Sequence, residues 1–114
     1  MAVYLCNVFT TAMLDSTRNH LYSFVSMPVE GVRATLSGPT GFEQAVGHPA
    51  TCAVLSQRLG LNIEPVRANV RLLEDDVLVV AQVVVPRLAE GEVLSKEQVE
   101  SLPIVFWHVT ATQC

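Results

Sequence analysis

A mixed α/β fold is predicted for this chain, and three observations carry the prediction. Segments with the two-residue period of strands alternate with at least one segment of helical period. One near-continuous Val/Leu run, Val77 to Val85, has the composition of a strand buried on both faces. Finally, 114 residues, 50% of them apolar, are enough for one hydrophobic core and too few for two. Residues 1–114 are therefore read as a single small domain, a mixed sheet of about five or six strands with two or three helices.

Taken in order, Ala2 to Phe9 is rich in Val, Tyr, Leu and Phe and reads as a strand running into a polar turn at Thr10 and Thr11. Leu21 to Met27 is extended and closed by Pro28; after a Glu30-Gly31 turn, Val32 to Leu36 is predicted as its hairpin partner. Ser37 to Gly41 is broken by glycine and proline and reads as a loop. The clearest helix starts at Pro49, carries Cys52, Leu55 and Leu59 at helical spacing, places Arg58 in its last turn and stops at Gly60, which puts His48 at or beside the N-cap.

Arg67 to Leu73 alternates Arg67, Asn69 and Arg71 against Ala68, Val70 and Leu72, the pattern of a half-exposed strand. Glu74-Asp75-Asp76 then turns the chain into Val77 to Val85, predicted as the central strand, with Gln82 its one polar residue. Past Pro86, the polar stretch Arg87 to Gly91 leads to Ser95-Lys96-Glu97-Gln98, a capping-box pattern that opens a short helix ending before Pro103. Ile104 to Thr110 is the last strand.

Composition narrows the function. The apolar run at Val77 falls far short of the roughly 20 residues that span a bilayer, so no membrane partner is expected. Met1 to Thr10 lacks the form of a secretory leader, and a cytoplasmic location is expected. A mean hydropathy of +0.38 is high for a small domain, and a symmetric homodimer is the expected outlet for the surplus apolar surface. Cys6, Cys52 and Cys114 are odd in number and match neither a CxxC nor a zinc-ligand spacing, so reduced thiols are expected, with no metal and no cofactor. A net charge of −4 argues against a long nucleic-acid partner. Six of the 7 basic residues are nonetheless Arg, the side chain suited to forked phosphate contacts, so a local anion site stays open.

Several residues are candidates for chemistry. At Gly47-His48-Pro49 a helix start offers unpaired amides and the positive end of the dipole, where an anion can sit and a His can exchange a proton; on this pattern alone, His48 could equally cap the helix or pack beneath a loop. Arg87 and Glu90 bracket a loop just past the central strand, and Arg67 begins the strand before it. An Arg there could grip a phosphate while Glu90 orients a hydroxyl, or the two could form an ordinary surface pair. Asn7 and Thr10 could bond a ribose or base, or their own backbone in a turn. His20, in a polar turn, and His108, within the last strand, read as structural. No Ser/His/Asp order, P-loop or dinucleotide fingerprint is present.

In chain order, Asn7-Val-Phe-Thr10-Thr-Ala-Met-Leu14, Ala45-Val-Gly47-His48-Pro-Ala-Thr51, Arg67, and Arg87-Leu-Ala-Glu90-Gly-Glu-Val-Leu-Ser95 resemble the signature segments of the viral ring nuclease family. These are small type III anti-CRISPR proteins of archaeal and bacterial viruses, with cellular relatives in type III CRISPR loci. The resemblance runs from about Val3 to about Val109, and the last segment is its most distinctive part. It implies a metal-independent phosphodiesterase that binds cyclic tetraadenylate within a homodimer and cuts it to linear diadenylates, switching off type III CRISPR signalling. On that resemblance His48 is the general acid, Glu90 lies in the active site, Arg67 and Arg87 hold phosphates, and Asn7, Thr10 and Gly47 line the nucleotide site. Thr10 stands where the family often has Ser, and Pro86 where a polar residue is expected. Gln82 is placed either against an adenine or at the dimer seam. The alternative reading is a non-catalytic module that sequesters or senses a cyclic oligonucleotide.

Overall fold

The structure, a computed structural model, describes residues 2–17, 19–39, 41–84, 91, 95, 97–98 and 101–113. Its elements are β1 (Val3–Cys6), β2 (His20–Met27), α1 (Val29–Leu36), β3 (Glu43–Gln44), α2 (Pro49–Leu59), β4 (Val77–Val83) and β5 (Ile104–Gln113), with a 3-10 turn at Thr11–Met13. The strands form one mixed sheet in the order β2-β5-β4-β1-β3. β3, β1 and β4 run parallel, whereas β5 is antiparallel to both β4 and β2. A small α/β domain is thus what the chain forms, and β4 is the central strand that its Val/Leu run predicts.

Side chains alternate across the sheet, and each face has its own cover. On one face Val3, Leu5, Val79, Ala81 and Phe106 pack against Val32 and Leu36 of α1 and Cys52, Leu55 and Leu59 of α2. On the other, Cys6, Leu78, Val80, Val109 and Ala111 pack beneath Val70 and Leu72, with Phe9 and Met13 beside them. Helices cover the first face and extended chain covers the second. At about 25 cal/mol per Å² of apolar area, a fully buried Leu such as Leu5 or Leu55 contributes on the order of 2 kcal/mol.

One expectation is overturned. Val32 to Leu36 is not the hairpin partner of Leu21 to Met27; it belongs to helix α1. β2 is the terminal strand and pairs with β5 over eight positions, from His20↔Gln113 to Met27↔Phe106. The freed segment satisfies its backbone internally and buries Val32 and Leu36. Gly31, read as a turn residue, sits inside the helix because Met27 packs on it: a Cβ there would stand 3.0 Å from Met27 Cε.

Arg67 to Leu73 keeps its two-residue alternation, with Val70 and Leu72 buried, but it joins no ladder. Its one bridge is Leu14↔Leu72, and it lies across the sheet as a cover. β1 is shorter than predicted and leaves the sheet after Cys6, whereas β5 continues to Gln113. The capping box is present: the Ser95 N–H donates to Gln98 Oε1 at 2.8 Å, and the Gln98 N–H donates to Ser95 Oγ at 3.2 Å. Among the described residues no helix is long and apolar enough to cross a membrane.

Candidate functional site

Three parallel strands set where a site can be. Loops leaving the carboxyl ends of parallel strands gather at one edge of a sheet, and ligands of such folds bind there. β1 ends at Cys6 and releases Asn7 to Thr10, and β3 ends at Gln44 and releases Ala45 to His48. The Ala45 N–H donates to Leu5 O at 2.7 Å, which holds the second loop against the end of β1. β4 points to the same edge and runs three residues past its last pairing with β1, from Val80 to Val83. Arg87 and Glu90 lie in the segment after Val83 but outside the described residues.

His48 is the N-cap residue of α2, as the sequence predicts, and Pro49 follows in the first turn. Its side chain makes no capping hydrogen bond, is exposed, and is free for other work. The capping role left open for it is therefore not the one it takes. No acidic residue occupies the first turn of α2, so nothing there offsets the positive end of the helix.

Gly47 and Arg67 touch. A Cβ on Gly47 would stand 3.0 Å from Arg67 Cγ, 3.8 Å from its Nε and 3.8 Å from Val66 O. Gly47 does not have a positive φ, so space rather than backbone conformation calls for glycine. The Val66 N–H donates to Val46 O at 3.0 Å and fixes Arg67 beside the loop that carries His48. Gly47, Arg67 and Asn69 line a cleft of about 290 Å³. It shares Ala68 and Asn69 with a second cleft of about 280 Å³ that contains Thr10 and Arg71. Gly47 and Arg67 thus line one cleft and Thr10 the adjoining one, and His48, which lines neither, follows Gly47 in the chain.

The other arginines separate by what they hold. Arg33 donates from Nε to Leu59 O at 2.9 Å and from an Nη to Arg58 O at 3.0 Å, and Arg58 donates to Leu102 O at 2.6 Å. Both are engaged at the far end of α2, where they satisfy carbonyls. Arg67 and Arg71 make no hydrogen bond or ion pair among the described residues. They are the described cations at the groove.

Asn7 lies three residues before Thr10 but faces a different space. It lines a cavity of about 480 Å³ with Phe9, Phe24, Val80, Gln82 and Trp107. Gln82 is exposed, not buried in the strand, because β4 emerges from under its cover at this end. Sequence reasoning missed Asn69, Arg71, Phe24 and Trp107. The first two were within reach, since period-two alternation places them on the face of Arg67; Phe24 and Trp107 meet Asn7 only through strand pairing. His20 and His108 stand apart from both spaces: His20 packs against Tyr22 with ring centroids 6.0 Å apart, and His108 faces Val79 and Val25 in the sheet.

Two of the three thiols are inert, and Cys114 lies outside the described residues. Cys6 and Cys52 are free and buried, the Cys52 thiol donates to Val46 O at 3.3 Å, and burial raises both thiols above their ordinary range, Cys6 to about 11. Among the described residues no three His, Cys, Asp or Glu side chains cluster as a metal site would require.

The sheet and its helices define a small α/β domain, with a candidate site at the carboxyl edge of its parallel strands. Residues 3–107 match the sequence model of the STIV B116-like family, and the chain belongs to that family. Its fold is similar to that of B116 of Sulfolobus turreted icosahedral virus, with a TM-score of 0.78 over 96% of this chain and 99% of that chain, at 23% sequence identity. No curated protein matches the chain.

Proposed function

We propose that the protein is a metal-independent ring nuclease that binds cyclic tetraadenylate and cleaves it to linear diadenylates, switching off type III CRISPR signalling. The observation that carries this reading is the uncapped His48 at the start of α2, next in the chain to the contact between Gly47 and Arg67, whose cleft adjoins the one that holds Thr10.

The reaction needs little from the protein beyond position and charge. At two opposite positions of the ring a ribose 2′-hydroxyl gives up its proton to solvent and its oxygen attacks the phosphorus beside it, the bond from that phosphorus to the 5′-oxygen breaks, and the 5′-oxygen leaves with a proton. His48 supplies that proton, a role typically worth about 10²–10⁴ in rate. Arg67 offsets the charge that builds on the phosphoryl oxygens, and Arg87 joins it in the resemblance. The products carry a 2′,3′-cyclic phosphate at one end and a 5′-hydroxyl at the other.

A four-membered ring needs two such grooves, which a symmetric dimer supplies. Val8 and Phe24, at the Asn7 cavity, are 58% and 48% exposed, and Val105, which pairs with Gln82, is 38% exposed. This apolar border supports a second subunit closing over the same edge.

The test is incubation of the protein, and of His48→Ala, with cyclic tetraadenylate in EDTA, followed by liquid chromatography and mass spectrometry. Linear diadenylate from the wild type and intact ring bound to the variant are expected. Intact ring from the wild type overturns the enzyme, and a binding titration then separates a sequestering module from a protein that never meets the nucleotide.

A further inference from the structure

The cavity beside Asn7 differs in chemistry from the groove. Among the described residues its walls are Phe9, Phe24, Val80 and Trp107, its polar groups are the neutral amides of Asn7 and Gln82, and none of its lining side chains is charged. Such a lining suits no phosphate. It suits a flat, uncharged heteroaromatic ring whose edge carries hydrogen-bonding groups, because aromatic faces stack on such a ring and amides bond its edge.

Strand pairing makes the wall. Trp107 sits between Val80 and Ser26 in the register of β4, β5 and β2, on the face away from the helices. It packs at the margin of the buried cluster and is half-buried rather than enclosed. Phe9 holds Phe24 edge-to-face, with ring centroids 5.3 Å apart and planes at 89°, so a second aromatic wall, on the same sheet face as Trp107, is braced. The loop that carries Asn7 into this cavity carries Thr10 into the cleft that adjoins Gly47 and Arg67 three residues later. The two spaces are therefore neighbours.

We propose that Trp107 is the stacking platform for a purine base of the bound nucleotide, with the cavity as the base seat and the Gly47–Arg67 groove as the seat of its phosphate. The inference rests on the ring-nuclease reading for the identity of the ligand. Trp107 acts on binding and not on the reacting atoms.

Trp107 is the only tryptophan in the chain, so its emission reports on this cavity alone. Emission is followed in His48→Ala, which keeps the ring intact, during titration with cyclic tetraadenylate and separately with adenosine monophosphate. In parallel, KM and kcat are measured for Trp107→Leu and Trp107→Phe, with urea melts to establish that both variants fold. Saturable quenching is expected. Trp107→Leu should raise KM by about 5- to 150-fold, the range that one lost base stack represents, with kcat changed by less than about threefold. Trp107→Phe, which restores an aromatic face, should return KM to within about threefold of the wild type.

If the wild type cleaves the ring while emission stays constant and Trp107→Leu leaves KM within about twofold, the platform is overturned and the ring nuclease stands. If the wild type neither binds nor cleaves the ring, the ring-nuclease reading fails. Saturable quenching by adenosine monophosphate then still supports a base seat, and its absence overturns one.

Discussion

Gly47→Ala tests the most specific contact in the groove. The added Cβ would meet Arg67 Cγ at 3.0 Å, whereas ordinary contact is 3.4–4 Å, so the arginine stem must retreat by about 0.4–1 Å. Arg67 is exposed and Gly47 does not have a positive φ, so the fold should tolerate the change. The unfolded chain loses entropy on gaining an alanine, about 0.4–1 kcal/mol in favour of folding, which roughly offsets about 0.5–1.5 kcal/mol for a displaced rotamer. Stability should shift by less than about 1 kcal/mol, or roughly 4–8 °C in thermal midpoint. The guanidinium, at the far end of the stem, moves further than Cγ. A misplacement of about 1 Å in a positioning group can cost on the order of 10²-fold in rate, so kcat/KM on cyclic tetraadenylate should fall by about 10- to 100-fold. Losing one charge-assisted hydrogen bond in Arg67→Ala, about 1.5–3 kcal/mol, should cost a similar factor. The decisive assay is the double-mutant cycle. If Gly47→Ala acts through Arg67, the double variant is no worse than Arg67→Ala alone, within about threefold. Losses that multiply, or a double variant that fails to fold, would refute the reasoning.

Three further outcomes are expected. His48→Ala should lose about 10²–10⁴ in cleavage with binding and melting temperature nearly unchanged, because the side chain caps nothing; a large loss of stability would contradict that. Asp76, 8% exposed, accepts from the Ala2 N–H at 3.0 Å and the Leu73 N–H at 3.1 Å, tying the start of β1 to the turn before β4. Asp76→Ala should therefore cost about 1–3 kcal/mol in urea denaturation, and a variant as stable as the wild type would remove that role. Burial holds the Cys6 thiol at about 11, above its ordinary 9.0, against a smaller opposing hydrogen bond from the Val8 backbone. The thiol is neutral in the folded chain while the unfolded chain ionises, so its contribution to stability is complete below about pH 9 and is lost as pH rises towards 11. Urea midpoints should fall more steeply over that window for the wild type than for Cys6→Ala; parallel slopes would disprove it.

Much of the site was legible because its signals are local. The start of α2 is written in Pro49, the spacing of Cys52, Leu55 and Leu59, and Gly60 in the left-handed conformation with φ 66°, so His48 falls at its N-cap without reference to any distant residue. The alternation of Arg67, Asn69 and Arg71 likewise survives, since a chain with one face on the core must alternate whether or not it pairs. The central place of β4 follows from a run apolar enough to be buried on both faces from Leu78 to Ala81.

Pairing and proximity needed the tertiary structure. Val32 to Leu36 has strand-like composition, and packing decides it: β2 is the terminal strand and pairs only with β5 among the described residues, while the segment folds over the sheet as α1 and buries Val32 and Leu36. Gly31 looks like a turn until Met27 is seen resting on it. Nothing within ten residues of Gly47 says that Arg67 will touch it, or that Trp107 and Asn7 will share a cavity. By itself the sequence determined the fold class, the cap that presents His48 and the face that presents Arg67, because periodicity and capping act over a few residues. The tertiary structure decided which loops meet at the edge of β1, β3 and β4, because strand order depends on how the whole chain buries its apolar area.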